Sequence, residues 1–169
     1  IDFVRQASDM GFFDGKREVL MTLGAATEVL TALKDKMPLG IWVGTRYWFQ
    51  ANDTPINKAF VEAYKKRFEV FPSYNAHGAY AAVKAYAAAA KKAGSTDKEK
   101  IVDALEGLSL ELPIGPTTIR AEDHQAISDG TWGQTAADPA IPIRILKPMR
   151  HFAGKDITPS VEETGCKMK

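Results

Sequence analysis

The chain of 169 residues has a single cysteine and only three histidines. One cysteine cannot form an internal disulfide. Cys166 lies near the end in Glu-Thr-Gly-Cys-Lys-Met-Lys and has no neighbouring metal ligands, so it reads as an unpaired thiol or one whose partner lies outside this chain. His77, His124 and His151 are far apart, and none has a second ligand three or four residues away, which argues against a metal site. Charge of one sign is also missing. The net charge is +1 with signs interleaved, which gives no electrostatic footprint for nucleic acid or an anionic membrane. No apolar run approaches the roughly 20 residues that span a bilayer, so no membrane insertion is expected. The first residues, Ile-Asp-Phe-Val-Arg, contain no basic-then-apolar leader. Motif searching finds no phosphate loop, Gly-x-Gly-x-x-Gly, Gly-x-Ser-x-Gly or His-Glu-x-x-His. Nothing in the chain calls for a cofactor.

What is present reads as an α/β protein. Hydrophobic residues make up 45%, enough for a substantial core. Residues 1–10 resemble the middle or end of a helix, with Phe3, Val4, Ala7 and Met10 on one face and Gly11 stopping it, which points to a fragment. A short strand is expected over Arg17 to Leu23. A helix capped by Thr27 follows, carrying Val29, Leu30, Leu33 and Met37 and closed by Pro38. The next strand is expected from Gly40 to Tyr47, and strand–helix–strand alternation suggests a parallel sheet.

Thr54-Pro55 marks a helix start, with a buried stripe at Ile56, Phe60, Val61, Tyr64 and Phe68. An alanine-rich helix is expected from about Ala76 to Lys92, with Tyr80 and Tyr86 on its core stripe. Thr96-Asp97-Lys98-Glu99 then starts another, with Ile101, Val102, Leu105 and Leu108 at helical spacing. Thr117 to Arg120, Gly130 to Thr135 and Ile141 to Leu146 are strand candidates. Residues 153–169 are polar and without periodicity, and an extended surface tail is expected there.

Candidate chemistry is sparse. His124 follows Asp123, but adjacent residues in a turn favour turn hydrogen bonding over a catalytic dyad. In Tyr47-Trp48-Phe49, consecutive strand residues face opposite ways, so at least one must leave the core. Tyr47 and Trp48 are candidates to line a ligand site, with core packing as the alternative.

The ordered set Phe3-Val4-Arg5-Gln6-Ala7, Asn57-Lys58-Ala59-Phe60-Val61, Pro72, Tyr80-Ala81-Ala82-Val83, Ala93-Gly94-Ser95-Thr96-Asp97 and Gly115-Pro116 carries a resemblance over nearly the whole chain. It is similar to the C-terminal half of type I periplasmic solute-binding proteins of the branched-chain amino acid (Leu/Ile/Val-binding) family. The resemblance implies two Rossmann-like lobes of parallel sheet flanked by helices, of which this chain holds an incomplete part. Residues 1–47 would belong to the second lobe and 48–126 to the first. Residues 127–169 would return to the second lobe and form the C-terminal tail.

It further implies a non-enzymatic, periplasmic substrate-binding component of an ABC importer that closes its lobes on a small molecule. Its partners would be transporter permease subunits and the missing N-terminal half of the same protein, with a signal peptide preceding the fragment. A sensing receptor or regulator of the same fold is the alternative, and an α/β enzyme fragment the third reading. Two segments match ligand-contacting positions in this family. The first includes Thr22, Leu23 and Gly24, where amino acid binders place an acidic residue against the ligand's ammonium group. Leu23 offers no such charge, and an uncompensated buried ammonium would cost several kcal/mol. The second is Tyr74, Asn75 and His77, at a helix N-terminus that offers backbone donors. The implied ligand is a small organic acid, an aromatic carboxylate favoured over an amino acid, with Tyr47, Trp48 or Tyr74 stacking on its ring and its carboxylate met mostly by the absent lobe.

Overall fold

The computed structural model describes residues 1–15, 18–22, 24 and 26–168. Helix α1 (Asp2–Asp9) buries Val4 and Ala7, one turn apart on the same face. Phe3 and Met10, expected on that face, are exposed; Phe3 leans edge-on against Phe12 with ring centroids 6.4 Å apart. Strand β1 (Leu20–Met21) is shorter than the sequence suggests, and Arg17 and Leu23, the ends of the expected strand, lie outside the described residues. Helix α2 (Thr27–Leu33) is capped by Ala26, not Thr27, whose hydroxyl instead donates to the Phe71 carbonyl. A short 3₁₀ turn, Lys34–Lys36, leads towards strand β2 (Trp42–Thr45).

Helix α3 (Pro55–Phe68) starts as its sequence dictates, with the Thr54 hydroxyl accepting from Asn57 N–H and proline at the first helical position. Of its expected stripe, Phe60 is buried while Phe68 is half exposed. Helix α4 (Tyr74–Ala93) begins two residues before the expected start, because Ser73 caps it by accepting from Ala76 N–H. Tyr80 packs against the core, whereas Tyr86 is half exposed. Helix α5 (Lys98–Leu105) is capped by Asp97, which accepts from Glu99 and Lys100 N–H. A hairpin of β3 (Ser109–Leu112) and β4 (Gly115–Ile119) follows, then β5 (Ala126–Ile127).

Strands β6 (Gly130–Ala136) and β7 (Ile145–Phe152) return to the first sheet. Its order is β1-β2-β6-β7: β1 and β2 run parallel across α2, and β6 and β7 add as antiparallel strands. The second sheet, β3-β4-β5, is antiparallel. The tail is not extended throughout. It forms single-turn helices α6 (Gly154–Ile157) and α7 (Val161–Thr164), the latter held by a capping box between Ser160 and Glu163.

One apolar core joins α1, α2, β2, α3, β3 and β7 through Val4, Leu30, Val43, Phe60, Leu112 and Leu146. A smaller cluster of Ala89, Ile101 and Ala104 lets α4 and α5 approach closely. There, Lys92 Nζ donates to the Ala104 carbonyl at 3.0 Å, which meets an orphan acceptor near the end of α5. No described helix is long and apolar enough to cross a membrane.

Candidate ligand-binding site

The parallel pair β1/β2 places Thr22 and Arg46 just beyond its carboxyl ends, the side on which open α/β sheets collect ligands. Two cavities open there. One, of about 430 Å³, is bordered by Tyr74, Asn75 and His77 at the start of α4 and by Leu112 and Ile114 of the hairpin. The other, of about 320 Å³, is bordered by Thr22, Thr45, Asp129 and Trp132. Arg46 and the segment Gln125 to Ser128 border both. These are the stretches where the chain leaves the first sheet after β2 and returns to it before β6.

Tyr74, Asn75 and His77 are thus brought together, and Thr22 borders the adjoining cavity. Leu23 lies outside the described residues. Gly24 sits in the turn after β1, where a Cβ atom would come within 2.9 Å of the Val43 side chain. Tyr47 is buried behind His77 with its ring stacked on the imidazole, so it supports the cavity wall from within. Trp48 is 1% exposed and packs in the main core, tilted against Phe49. The end of β2 enters the core here, and that is why the aromatic run follows it inward.

Behind the wall is a chain of hydrogen bonds. Tyr47 Oη donates to Asn57 Oδ1 at 2.7 Å, and Asn57 Nδ2 donates to the Phe49 and Asn52 carbonyls at 3.0 and 2.8 Å. Asn52 Nδ2 in turn donates to the carbonyls of Pro113 and Ile114. The network ties the segment after β2 to the tip of the β3–β4 hairpin, fixing two borders of the larger cavity. Burial pushes the Tyr47 phenol pKa well up and the His77 imidazole down to about 4, so His77 is neutral at pH 7.

Sequence reasoning missed Arg46. Its position directly after a parallel strand was the available signal. The exposed guanidinium sits over the Tyr74 ring, 5.0 Å from its centroid. It has no hydrogen-bond or ion-pair partner among the described residues. Asp129, the one carboxylate among the described residues bordering either cavity, accepts from Gly154 N–H through Oδ1 at 2.9 Å.

The residues of the enzyme reading are engaged by different partners. Asp123 forms a paired contact with Arg120, which holds its carboxyl below the usual range. His124 Nε2 lies 3.0 Å from Glu106 Oε1, and Cys166 is exposed and free. No group of acidic, cysteine and histidine side chains suited to a metal ion occurs among the described residues.

The periplasmic binding protein family model matches residues 1–138, and the chain belongs to that family. Among solved structures, it is 30% identical to an ABC-type branched-chain amino acid transporter from Rhodopseudomonas palustris, with a TM-score of 0.76 over 92% of this chain and 41% of that one. It is 26% identical to an amino acid ABC transporter substrate-binding protein from Pseudomonas fluorescens, with a TM-score of 0.82 over 98% and 43%. It is 25% identical to an ABC transporter solute-binding protein from another Rhodopseudomonas palustris strain, solved with 3,4-dihydroxybenzoic acid, with a TM-score of 0.76 over 90% and 42%. No curated protein sequence matches significantly. The chain spans about two fifths of the length of these solved relatives. The fold is therefore that of type I periplasmic binding proteins, with the parallel arrangement confined here to β1/β2.

Proposed function

We infer that this chain is the C-terminal part of a periplasmic substrate-binding component of an ABC importer. It takes a small organic acid, an aromatic carboxylate in preference to an amino acid. The supporting observation is the makeup of the larger cavity, where Tyr74, Leu112 and Ile114 supply aromatic and apolar surface and no carboxylate is found among the described lining residues. An α-amino acid brings an ammonium that needs a countercharge, whereas a ring bearing a carboxylate does not. Leu23, where amino acid binders of the family carry an acid, points the same way. A solved relative holding 3,4-dihydroxybenzoic acid agrees with the class, while other relatives are described as amino acid proteins.

In this reading residues 1–47 and 127–169 belong to the second lobe and residues 48–126 to the first. The sheet order supports that reading: β1, β2, β6 and β7 flank in sequence the segment carrying α3 to α5 and the hairpin, with the short β5 straddling the boundary. The absent N-terminal half completes the cleft, and the permease subunits recognise the form closed on ligand. The test is native mass spectrometry of the two-lobed protein against branched-chain amino acids and aromatic carboxylates. Retention of an aromatic acid with no amino acid bound is expected. A bound branched-chain amino acid overturns the ligand class and leaves transport standing.

A further inference from the structure

We propose that Arg46 is the residue that selects a carboxylate in this cleft, so that the acid group of the ligand is read by this half of the protein. The inference rests on the organic-acid reading and assigns its charge recognition to one side chain, where the sequence resemblance places that contact on the absent lobe.

Three observations carry it. Among the described residues Arg46 is the one cation bordering the two cavities, and it borders both. Its guanidinium has five N–H donors and no hydrogen-bond or ion-pair partner among the described residues. An ordinary surface arginine is loose in solvent. This one is seated over the Tyr74 ring, 5.0 Å from the centroid, so less freedom is lost when it engages a ligand. The positive end of the 20-residue α4, which begins at Tyr74 on the same cavity, adds potential of the same sign. A planar guanidinium matches a carboxylate with two parallel N–H···O bonds. Tyr74, beneath it, offers its ring edge and neighbouring surface to the ligand's apolar body. The substrate class is a monocarboxylate with a flat or apolar body, and an uncharged isostere is rejected because it cannot form the paired contact.

The experiment is calorimetric titration of the two-lobed protein with benzoate and with benzamide, for wild type, Arg46→Gln and Arg46→Lys, with circular dichroism confirming that each variant is folded. Benzoate takes two charge-assisted N–H···O bonds from the guanidinium, whereas benzamide offers one acceptor oxygen and turns N–H donors towards the cation, so wild type is expected to prefer benzoate by about tenfold. Arg46→Gln brings the two ligands to within about threefold, chiefly through loss of benzoate affinity, and Arg46→Lys retains an intermediate preference because a point charge remains without the fork. A folded Arg46→Gln protein that keeps the full benzoate preference overturns the role of Arg46 while leaving the organic-acid reading intact. Wild type that binds neither compound but binds leucine overturns both.

Discussion

The imidazole of His77 lies flat on the ring of Tyr47, centroids 4.5 Å apart and planes 6° from parallel. Phe60 closes a second side edge-on, and His77 Nε2 is buried without a hydrogen-bond partner among the described residues. Burial lowers the His77 pKa from 6.5 to about 4. The unfolded chain therefore binds the proton more readily than the folded one. Stability from this group is complete above pH 6.5 and is lost as pH falls towards 4, by on the order of 3 kcal/mol. Urea unfolding at pH 7.5, 5.5 and 4.5 checks this. The stability of wild type relative to that of His77→Leu should fall steadily as the pH falls, because only wild type carries the histidine's proton linkage. A difference independent of pH would show that His77 is solvated in the folded state.

Tyr47 reaches past His77 to Asn57, and this contact makes a second, separable prediction. Tyr47→Phe leaves the ring stack in place but strips Asn57 Oδ1 of the donor at 2.7 Å. The expected cost is about 1–2 kcal/mol. Asn57→Ala removes that acceptor and both donors to the Phe49 and Asn52 carbonyls, at about 2–4 kcal/mol. The double variant should fall short of the sum by about 1 kcal/mol, since the Tyr47–Asn57 bond is lost only once. Strict additivity in denaturant midpoints would mean that the two side chains do not depend on each other.

Legibility in the sequence followed the length and periodicity of each segment. Helices α3, α4 and α5 were readable because each announces a start: Thr54-Pro55 before α3, Asp97 before α5, and a long alanine-rich run in α4. Strand β3 was not, although Thr117 to Arg120 pointed to its partner β4. Leu108 continues the spacing of α5, so the sequence pattern carries the helix past its true end at Leu105. The expected strand over Ile141 to Leu146 meets only the start of β7, which runs on through Pro148 to Phe152. In the fold, pairing passes from Gly133↔Met149 to Thr135↔Leu146, and the proline falls in this irregularity, where its missing N–H breaks no ladder bond. The tail helix α7 had a readable signal in Ser160-Val161-Glu162-Glu163, a Ser-x-x-Glu capping box masked by the polarity around it. For the site, the start of α4 was legible only to within two residues, because Ser73 and not the alanine run sets it. Arg46 was not, because an arginine after a strand is ordinary until the cavities on both sides of it are seen.

The same tail supplies a third prediction. Arg120 pairs with Asp123 and also donates through Nη2 to the Pro159 carbonyl at 2.9 Å, which tethers the start of α7 to the end of β4. Arg120→Ala removes the tether without touching the capping box. Digestion by a glutamate-specific protease should then cut faster at Glu162 and Glu163, because the tail opens more often once the tether is gone. An unchanged rate, read by mass spectrometry of the released peptide, would show that Arg120 does not hold the tail.

Two glycines make opposite predictions for the same substitution. A Cβ added to Gly154 would lie 2.6 Å from the backbone carbon and oxygen of Ser128. The clash is with main chain, which cannot rotate away, and Gly154 N–H is also the donor to Asp129. Gly154→Ala must therefore shift α6 away from the segment that returns to β6, at an expected cost of about 1–3 kcal/mol. Gly78 lies inside α4, and a Cβ there meets nothing within 4 Å. Gly78→Ala should stabilise by about 0.5–1 kcal/mol, because alanine loses less backbone freedom in a helix and adds no strain. Gly78 also borders the larger cavity, so its methyl group enters the space proposed for the ligand's body. Thermal unfolding and ligand titration on the same Gly78→Ala protein separate these effects. A raised midpoint with weakened aromatic-acid binding is the expected pair. A raised midpoint with unaltered binding would place the ligand's body elsewhere along the cleft, away from the first turns of α4.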